Sequence, residues 1–417
     1  MLGRIITTLL SKGLTGLCRL GVLLLTAHFL GPSGRGEISL VLAAIAAMVI
    51  ATSFGGGPSI VFLAPRNPAG ALILNGALWT LVICAIGTAM LYASHLVSKK
   101  YVIHVFFLSL LNGGIINHFN LFVAKEKMGL HAFLTGLESV LIVSLLAFYF
   151  FILGQSDPMV YIYSLYIAFA LTFLLSLGLI LPWLLIDFRF SVMPSLFWKV
   201  LSNGLPAQTA SLLALFIYRM PFYFLESHRG TAEVGIFSVG VALSEAVWLF
   251  GGSIALNVFS RVANQSRAGE GHDLVFRMGR LSFMVTAAAL LIMVCIPPSL
   301  YAMVFGVDFA RTGEILRILS PGILCFSLHT VISHYFSATG RYGILAFSAF
   351  IGFLLCLLLS FLLIPLMGMH GAAMSSSLAY ILATLVQTRI FLRESGKPWK
   401  TFIPGIRDLR LNRGDAA

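Results

Sequence analysis

The sequence predicts an all-α protein that crosses a membrane many times, and three observations lead to this fold class. Of its 417 residues, 59% are hydrophobic and only 10% are charged, whereas soluble domains are nearer one half and one quarter. Runs of about 20 or more mostly apolar residues recur along the chain, each long enough to cross the roughly 30 Å of hydrocarbon in a bilayer. An internal repeat then relates the two halves of the chain.

The apolar runs predict twelve transmembrane helices, because a strand edge leaves its backbone groups unpaired in lipid. We predict two six-helix lobes, residues 1–190 and 191–392, followed by a basic tail, residues 393–417. The twelve predicted spans are residues 5–30, 37–62, 71–96, 102–124, 129–153, 159–186, 200–225, 232–259, 280–304, 312–338, 343–367 and 369–392.

The internal repeat is visible in short matching segments. The segment Leu10–Leu14 (LSKGL) recurs as Leu201–Leu205 (LSNGL), and seven residues between 122 and 154 match residues between 336 and 368 at one constant offset of 214. Copies that are six spans apart have the same orientation in the membrane. The sequence therefore predicts a parallel 6+6 repeat, an architecture typical of transporters in which two bundles rock about a central site.

The basic residues predict the topology of the chain. Connectors that are rich in basic residues alternate along the chain with connectors that are poor in them. By the positive-inside rule, this alternation predicts that both termini are cytoplasmic. The net charge of +12 does not indicate nucleic acid, because the basic residues are spread over short connectors and the tail. The tail lies either against an anionic leaflet or free in solvent. Lys12 and Arg19 interrupt any signal-peptide core, so we expect the first span to remain in the mature protein.

The sequence contains no motif for catalysis, a cofactor or a metal. Walker, G-x-G-x-x-G and nucleophile-elbow patterns are absent. All five cysteines fall in apolar spans without C-x-x-C spacing, so we expect reduced packing residues. We therefore expect a protein that is not an enzyme and that uses no cofactor.

Charged residues inside the predicted spans indicate what the protein carries. Lys12 and Arg19 are seven residues apart and share one face of the first span, and Arg219 lies in the seventh. A cation at this depth costs several kcal/mol unless it meets water or an anion. We therefore predict an anionic passenger that these three cations bind. Two alternatives stay open: Lys12 extends to the membrane surface, and Arg219 forms a structural pair with Glu226 or Glu245.

Other polar residues in the spans are further candidates for function or for packing. Glu245 forms a salt bridge or takes part in proton coupling, and Glu138 has no evident partner and is expected to be a neutral hydrogen-bonding acid. Asn112, Asn117 and His118 in the fourth span contact sugar hydroxyls or form hydrogen bonds between helices. None of these residues has metal-ligand spacing.

Three segments carry a resemblance to a known family: Phe29–Glu37 (FLGPSGRGE), Ala232–Ser238 (AEVGIFS), and Ile364–Ala373 with its Ile-Pro pair and small residues. With them the chain resembles polysaccharide-type members of the MOP flippase superfamily, close to the Wzx-type flippases of lipid-linked oligosaccharides. The resemblance covers nearly the full length, and none of its motifs is catalytic.

The resemblance implies both a mechanism and partners. In that family two six-helix lobes form a V-shaped cavity that opens alternately to the cytoplasm and the periplasm, and moves an isoprenoid-diphosphate-linked glycan across the bacterial inner membrane for surface polysaccharide biosynthesis. Relatives often line the cavity with basic residues, and Arg19, Arg219 and Lys12 match by position. The implied partners are the lipid-linked glycan, membrane lipid and polysaccharide assembly proteins.

Two other functions remain as alternatives. A MATE-like, cation-coupled drug or metabolite antiporter shares the fold but commonly depends on an acid in its first helix, and residues 5–30 contain neither Asp nor Glu. A membrane glycosyltransferase or polysaccharide polymerase needs catalytic groups at a membrane face and usually a sizeable outer loop. The predicted outer connectors are only several residues long, and no D-x-D pair is present.

Overall fold

The fold comes from a computed structural model, which describes residues 2–186, 194–264 and 270–403, and the side chains within 13–185, 195–248, 251–263 and 271–403. Within these ranges the secondary structure is helical, without strands. The α-helices are α1 (Leu2–Thr52), α2 (Pro58–Leu63), α3 (Ala69–Ser94), α4 (Lys99–Ala124), α5 (Met128–Ala147), α6 (Met159–Ile186), α7 (Pro194–Arg229), α8 (Thr231–Asn264), α9 (Glu270–Cys295), α10 (Pro298–Phe305), α11 (Thr312–Ala338), α12 (Tyr342–Met367) and α13 (Met369–Ser395).

Most of these helices match a predicted span. In the described part of the chain, 11 helical segments are long and apolar enough to cross a membrane, and the first of them, residues 13–66, covers most of the first predicted span and all of the second. The α-helical geometry of α1 is interrupted at Gly31, where φ is 65° and ψ is −176°, one residue after the first predicted span ends. The all-α, polytopic fold class is confirmed.

The predicted bounds of the ninth span are wrong. We predicted one helix over residues 280–304, but α9 is Glu270–Cys295 and a separate short helix, α10, follows it. The two prolines at 297 and 298 cause the break. Proline has no amide hydrogen and clashes with the preceding turn, so it begins a helix more easily than it continues one.

The repeat found in the sequence is present in the backbone. Glu126, which follows the end of α4, and Gly340, which follows α11, both have left-handed backbone angles, with φ of 55° and 73°. The amides of Lys127 and Arg341 then each donate to the carbonyl oxygen five residues earlier, at 2.8 Å in both cases. This is the same helix-ending motif, placed 214 residues apart. The offset of 214 is therefore confirmed at this position.

The chain divides into two compact units. The first contains the described residues within 1–215, 230–235 and 304–306, and the second contains those within 216–229, 236–303 and 307–417. A buried cluster in the first unit includes Ile60, Phe122 and Leu134, and one in the second includes Phe276 and Phe391. The division into lobes at residues 190 and 392 stays a prediction.

A second pair of equivalent positions lies where helices begin after a sharp backbone turn. Gly31 and Gly230 both have positive φ, 65° and 82°, and helical structure resumes directly after each, at Pro32 and Thr231. These φ values favour glycine, because it has no Cβ to clash. The two turns are 199 residues apart, so the repeat has a slightly different offset here.

Within the first unit, the helical turn that follows Gly31 crosses the start of α8 at very close range. A Cβ atom added to Gly36 would lie 2.8 Å from the carbonyl carbon of Thr231, and one added to Gly235 would lie 2.7 Å from the carbonyl carbon of Pro32. The hydroxyls of Ser33 and Thr231 are 2.9 Å apart. Gly36 and Gly235 are therefore equivalent, each leaving room for the other segment's backbone. We call this contact the glycine crossing.

Candidate functional site

Arg19 is an exposed cation inside the first apolar segment. It lies on α1 about 18 Å from Gly31 along the helix, and its side chain is exposed. Among the described residues it makes no hydrogen bond and no ion pair within 4.0 Å, and its electrostatic neighbours are Glu138 and Tyr161. The side chain of Lys12 lies outside the described residues, so the predicted stripe of two cations stays a prediction.

Glu138 has a neighbour that the sequence did not reveal. Helix α1 packs against α5, and Gly21 allows this approach, because a Cβ there would lie 3.0 Å from Val143 Cγ2. This packing brings Arg19 within electrostatic range of the half-buried Glu138. The sequence analysis found no evident partner for Glu138, and among the described residues it makes no ion pair within 4.0 Å. The expectation that it is a neutral hydrogen-bonding acid stays a prediction. The two groups attract each other but are not in contact, so the Arg19 guanidinium donates no hydrogen bond to any side chain or backbone group that the structure describes.

Arg219 forms the structural pair that the sequence analysis left open. Its Nη2 atom lies 2.7 Å from Glu245 Oε1, with 24% of the arginine side chain and 32% of the glutamate side chain exposed. The guanidinium also lies over the Phe222 ring, 5.4 Å from its centroid. Glu226 is not the partner. In this conformation the Glu245 carboxylate compensates the charge of Arg219. The role of Arg219 in binding and the role of Glu245 in proton coupling stay predictions.

A group of aromatic residues in the second unit was missed by the sequence analysis. Tyr218 and Trp248 lie on α7 and α8, and Phe326 and Tyr380 on α11 and α13, with ring centroids 4.8 to 5.8 Å apart. Among the described residues the buried Trp248 Nε1 has no hydrogen-bond partner. Tyr218 and Tyr380 lie within electrostatic range of both Arg219 and Glu245, so the rings lie beside the ion pair. No sequence signal could have found them, since they come from four separate helices.

The polar residues of α4 are used mainly within the first unit. Asn117 and His118 are each 3% exposed. Asn117 Oδ1 is 3.4 Å from the Gly57 amide, and His118 Nδ1 is 2.8 Å from Ser176 Oγ. Hydrogen bonding between segments, one of the two interpretations, is therefore present. Asn112 is half-buried and makes no hydrogen bond among the described residues, so it is the one of the three whose side chain is available to a ligand.

These features define a polytopic α-helical membrane protein with an internal repeat and charges inside its spans. The chain belongs to the polysaccharide biosynthesis protein family, since that family model matches residues 2–259, more than half of the chain. A second model, described as lipid II flippase MurJ, matches residues 240–407. The predicted membership in the MOP superfamily is confirmed.

Two curated relatives are similar to parts of the chain. One is the capsular polysaccharide biosynthesis protein CapF of Staphylococcus aureus, 24% identical over 192 residues, which are 45% of this chain and 48% of the relative. The other is the probable low-salt glycan biosynthesis flippase Agl15 of Haloferax volcanii, 24% identical over 161 residues, 37% of this chain and 34% of the relative. The matches thus span half or less of these relatives.

Two solved structures share the fold over nearly the whole chain. An inward-facing multidrug resistance MATE family transporter of the MOP superfamily has a TM-score of 0.72 at 13% identity, covering 93% of this chain and 98% of its own. The lipid II flippase MurJ in an inward closed conformation has a TM-score of 0.66 at 15% identity, covering 96% and 89%. At these identities the likeness concerns the fold alone.

Proposed function

We propose that this protein is a flippase that moves an isoprenoid-diphosphate-linked oligosaccharide from the cytoplasmic to the outer face of the bacterial inner membrane, for surface polysaccharide biosynthesis. The family match and the descriptions of both curated relatives support a role in glycan biosynthesis. The observation that carries the proposal is Arg19, a cation inside an apolar span that makes no ion pair within 4.0 Å in the part of the chain that the structure describes.

The chemistry of Arg19 fits a diphosphate. A guanidinium presents donors in a planar fork that matches phosphate oxygens two at a time. Such a group is costly within a membrane unless it faces water or an anion, and Glu138 acts on it only from a distance. A diphosphate passing along α1 supplies the missing negative charge, while its hydrocarbon tail remains in the bilayer. Lys12 extends the same face by sequence position.

We propose that Arg219 and Glu245 act as a pair that opens. The two side chains are a quarter to a third exposed, so an anion can reach the guanidinium and displace the carboxylate. Glu245 is then the candidate coupling acid, since a released carboxylate in a membrane favours taking up a proton. Transport proceeds by alternating access, driven by an ion gradient or by downstream removal of the product. Both termini face the cytoplasm, and polysaccharide assembly proteins receive the product.

The test measures flipping in proteoliposomes. The substrate is a polyprenyl-diphosphate oligosaccharide with a fluorescent nitrobenzoxadiazole label, and dithionite destroys only the label in the outer leaflet. We expect Arg19→Ala to lower the rate at least tenfold, which corresponds to about 1.4 kcal/mol of lost interaction. Arg19→Lys retains the charge without the fork, so an intermediate rate is expected.

Arg261→Ala is the matched control, because Arg261 is an exposed arginine near the end of α8 and its variant should flip at the wild-type rate. Equal rates for Arg19→Ala and Arg261→Ala would remove Arg19 from the mechanism. Absence of flipping by the folded wild-type protein would contradict the proposal itself.

The fold also supports a second candidate, a cation-coupled antiporter, because the MATE transporter has the same fold over 93% of this chain. The lack of any acid in residues 5–30 argues against it. Export of ethidium from cells that express the protein, abolished by dissipating the ion gradient, would support the antiporter over the flippase.

A further inference from the structure

We propose that a groove between α3 and α4 binds an anionic phospholipid of the surrounding bilayer, with the lipid phosphate at Lys99 and one acyl chain in the groove. The proposal is independent of the transported substrate. It rests on the shape of the groove, on the charge at its end and on the start of α4.

The groove is open and mostly apolar. Its volume is about 460 Å³, within the range of about 300–1,000 Å³ that is common for small-ligand sites. Small residues create the space, since Ala85 and Ala89 lie one turn apart on α3. Thr88 adds no free polar group, because its hydroxyl donates to the Cys84 carbonyl at 2.6 Å. The lining residues are Ala85, Thr88, Ala89, Tyr92, Lys99, Val102 and Ile103.

Lys99 is an uncompensated cation at the end of this groove. Its side chain is exposed, and among the described residues no carboxylate lies within 4.0 Å of its ammonium group. Its contact is the Tyr92 ring, with Nζ 5.4 Å from the centroid. The nearby Glu37 is already engaged, because it binds Lys100 at 2.8 Å and accepts a hydrogen bond from Tyr101. The charge of Lys99 is therefore available to an external anion.

The start of α4 adds to the attraction for an anion. The first turn of this 26-residue helix contains no acidic residue, and Ser98 at its N-cap position makes no side-chain capping bond. The partial positive charge of a helix N-terminus favours phosphate. Lysine and tyrosine side by side are also typical of the membrane interface. An anionic head group at Lys99 would place an acyl chain along the exposed Tyr92 and Ile103, which are 57% and 53% exposed.

Native mass spectrometry of the purified full-length protein tests the proposal. The probes are dipalmitoyl phosphatidylglycerol, which is anionic, and dipalmitoyl phosphatidylcholine, which is not. We expect the wild-type protein to bind phosphatidylglycerol about fivefold more tightly, as one lysine near a membrane surface provides. Lys99→Gln should abolish this preference. Lys199→Gln, at another exposed lysine on α7, should retain it.

A second variant separates the groove from the charge. Ala89→Leu fills the groove and should weaken binding of both lipids at this site. In a separate competition with the wild-type protein, inorganic phosphate at millimolar concentration should displace neither lipid. Circular dichroism and gel filtration establish that each variant is folded, and Ala85→Val replaces Ala89→Leu if the latter is not.

Three results would overturn the proposal. They are equal affinity of the wild-type protein for both lipids, a preference that survives Lys99→Gln, and displacement of phosphatidylglycerol by inorganic phosphate alone with no effect of filling the groove. The last result would indicate an anion site without an acyl-chain groove.

Discussion

The glycine crossing makes a specific prediction about Gly36 and Gly235. An alanine Cβ at Gly36 would lie 2.8 Å from the carbonyl carbon of Thr231, and one at Gly235 would lie 2.7 Å from that of Pro32. In each case the carbonyl oxygen is nearer still. Non-bonded carbon atoms prefer about 3.5–4.0 Å, so the two backbones would have to separate by more than about 1 Å. Backbone atoms cannot move aside by changing rotamer, as a flexible side chain can.

The expected cost follows from this overlap. Overpacking a close contact costs about 1–3 kcal/mol, and a clash between backbones belongs at the upper end. Alanine recovers about 1 kcal/mol over glycine in helix propensity. We therefore expect Gly36→Ala and Gly235→Ala each to lower the free energy of unfolding by about 2 kcal/mol. The matched control is Gly252→Ala on α8, where a Cβ meets no atom within 4 Å, so a gain of up to about 1 kcal/mol is expected.

Two assays test the crossing. Unfolding in mixed micelles of dodecylmaltoside with increasing dodecylsulfate gives the free energies. Oxidative cross-linking of Ser33→Cys with Thr231→Cys, in a background without the native cysteines, reports the contact directly, because the native hydroxyls are 2.9 Å apart. Gly36→Ala should reduce the cross-linking yield. If both variants unfold like the Gly252→Ala control and cross-link as well as the parent, the two backbones do not touch in the membrane protein as isolated.

Three further predictions concern charge, backbone and buried polarity. Arg219→Ala and Glu245→Ala should each lower the free energy of unfolding by about 1–3 kcal/mol, which is less than for a fully buried pair because both groups are partly exposed. In a double-mutant cycle, the double variant should lose less than the sum of the two single variants. Strict additivity would show that the pair makes no contribution. Glu126→Gly should raise the free energy of unfolding by about 1 kcal/mol, and Gly340→Ala should lower it by a similar amount, because both positions have left-handed backbone angles. Changes of the opposite sign in dodecylsulfate unfolding would refute this. Asn117→Ala should lower the free energy of unfolding by about 1–3 kcal/mol, since Asn117 is buried, and the folded variant should flip substrate at the wild-type rate. A lower flipping rate at unchanged stability would instead indicate that Asn117 contacts the glycan.

The helices could be predicted well from the sequence because they depend on residues that are close along the chain. The predicted span 312–338 has the same bounds as α11, since an apolar run and its polar flanks are local features. The helix endings at Glu126 and Gly340 follow the repeat for the same reason. The bounds of the ninth span were predicted wrongly although Pro297 and Pro298 are present in the sequence, because the apolar run continues on both sides of the two prolines.

The sequence by itself determined the all-α polytopic fold, the repeat and the presence of cations within the spans, because composition and short-range pattern fix all three. Only the tertiary structure decided which acid meets which cation. Glu226 and Glu245 were equal candidates for Arg219, and helix packing selected Glu245 on α8. It also placed Arg19 near Glu138 without contact and buried His118 against α6. These outcomes depend on which faces of distant helices meet, and such contacts leave no mark in the residues on either side of each position.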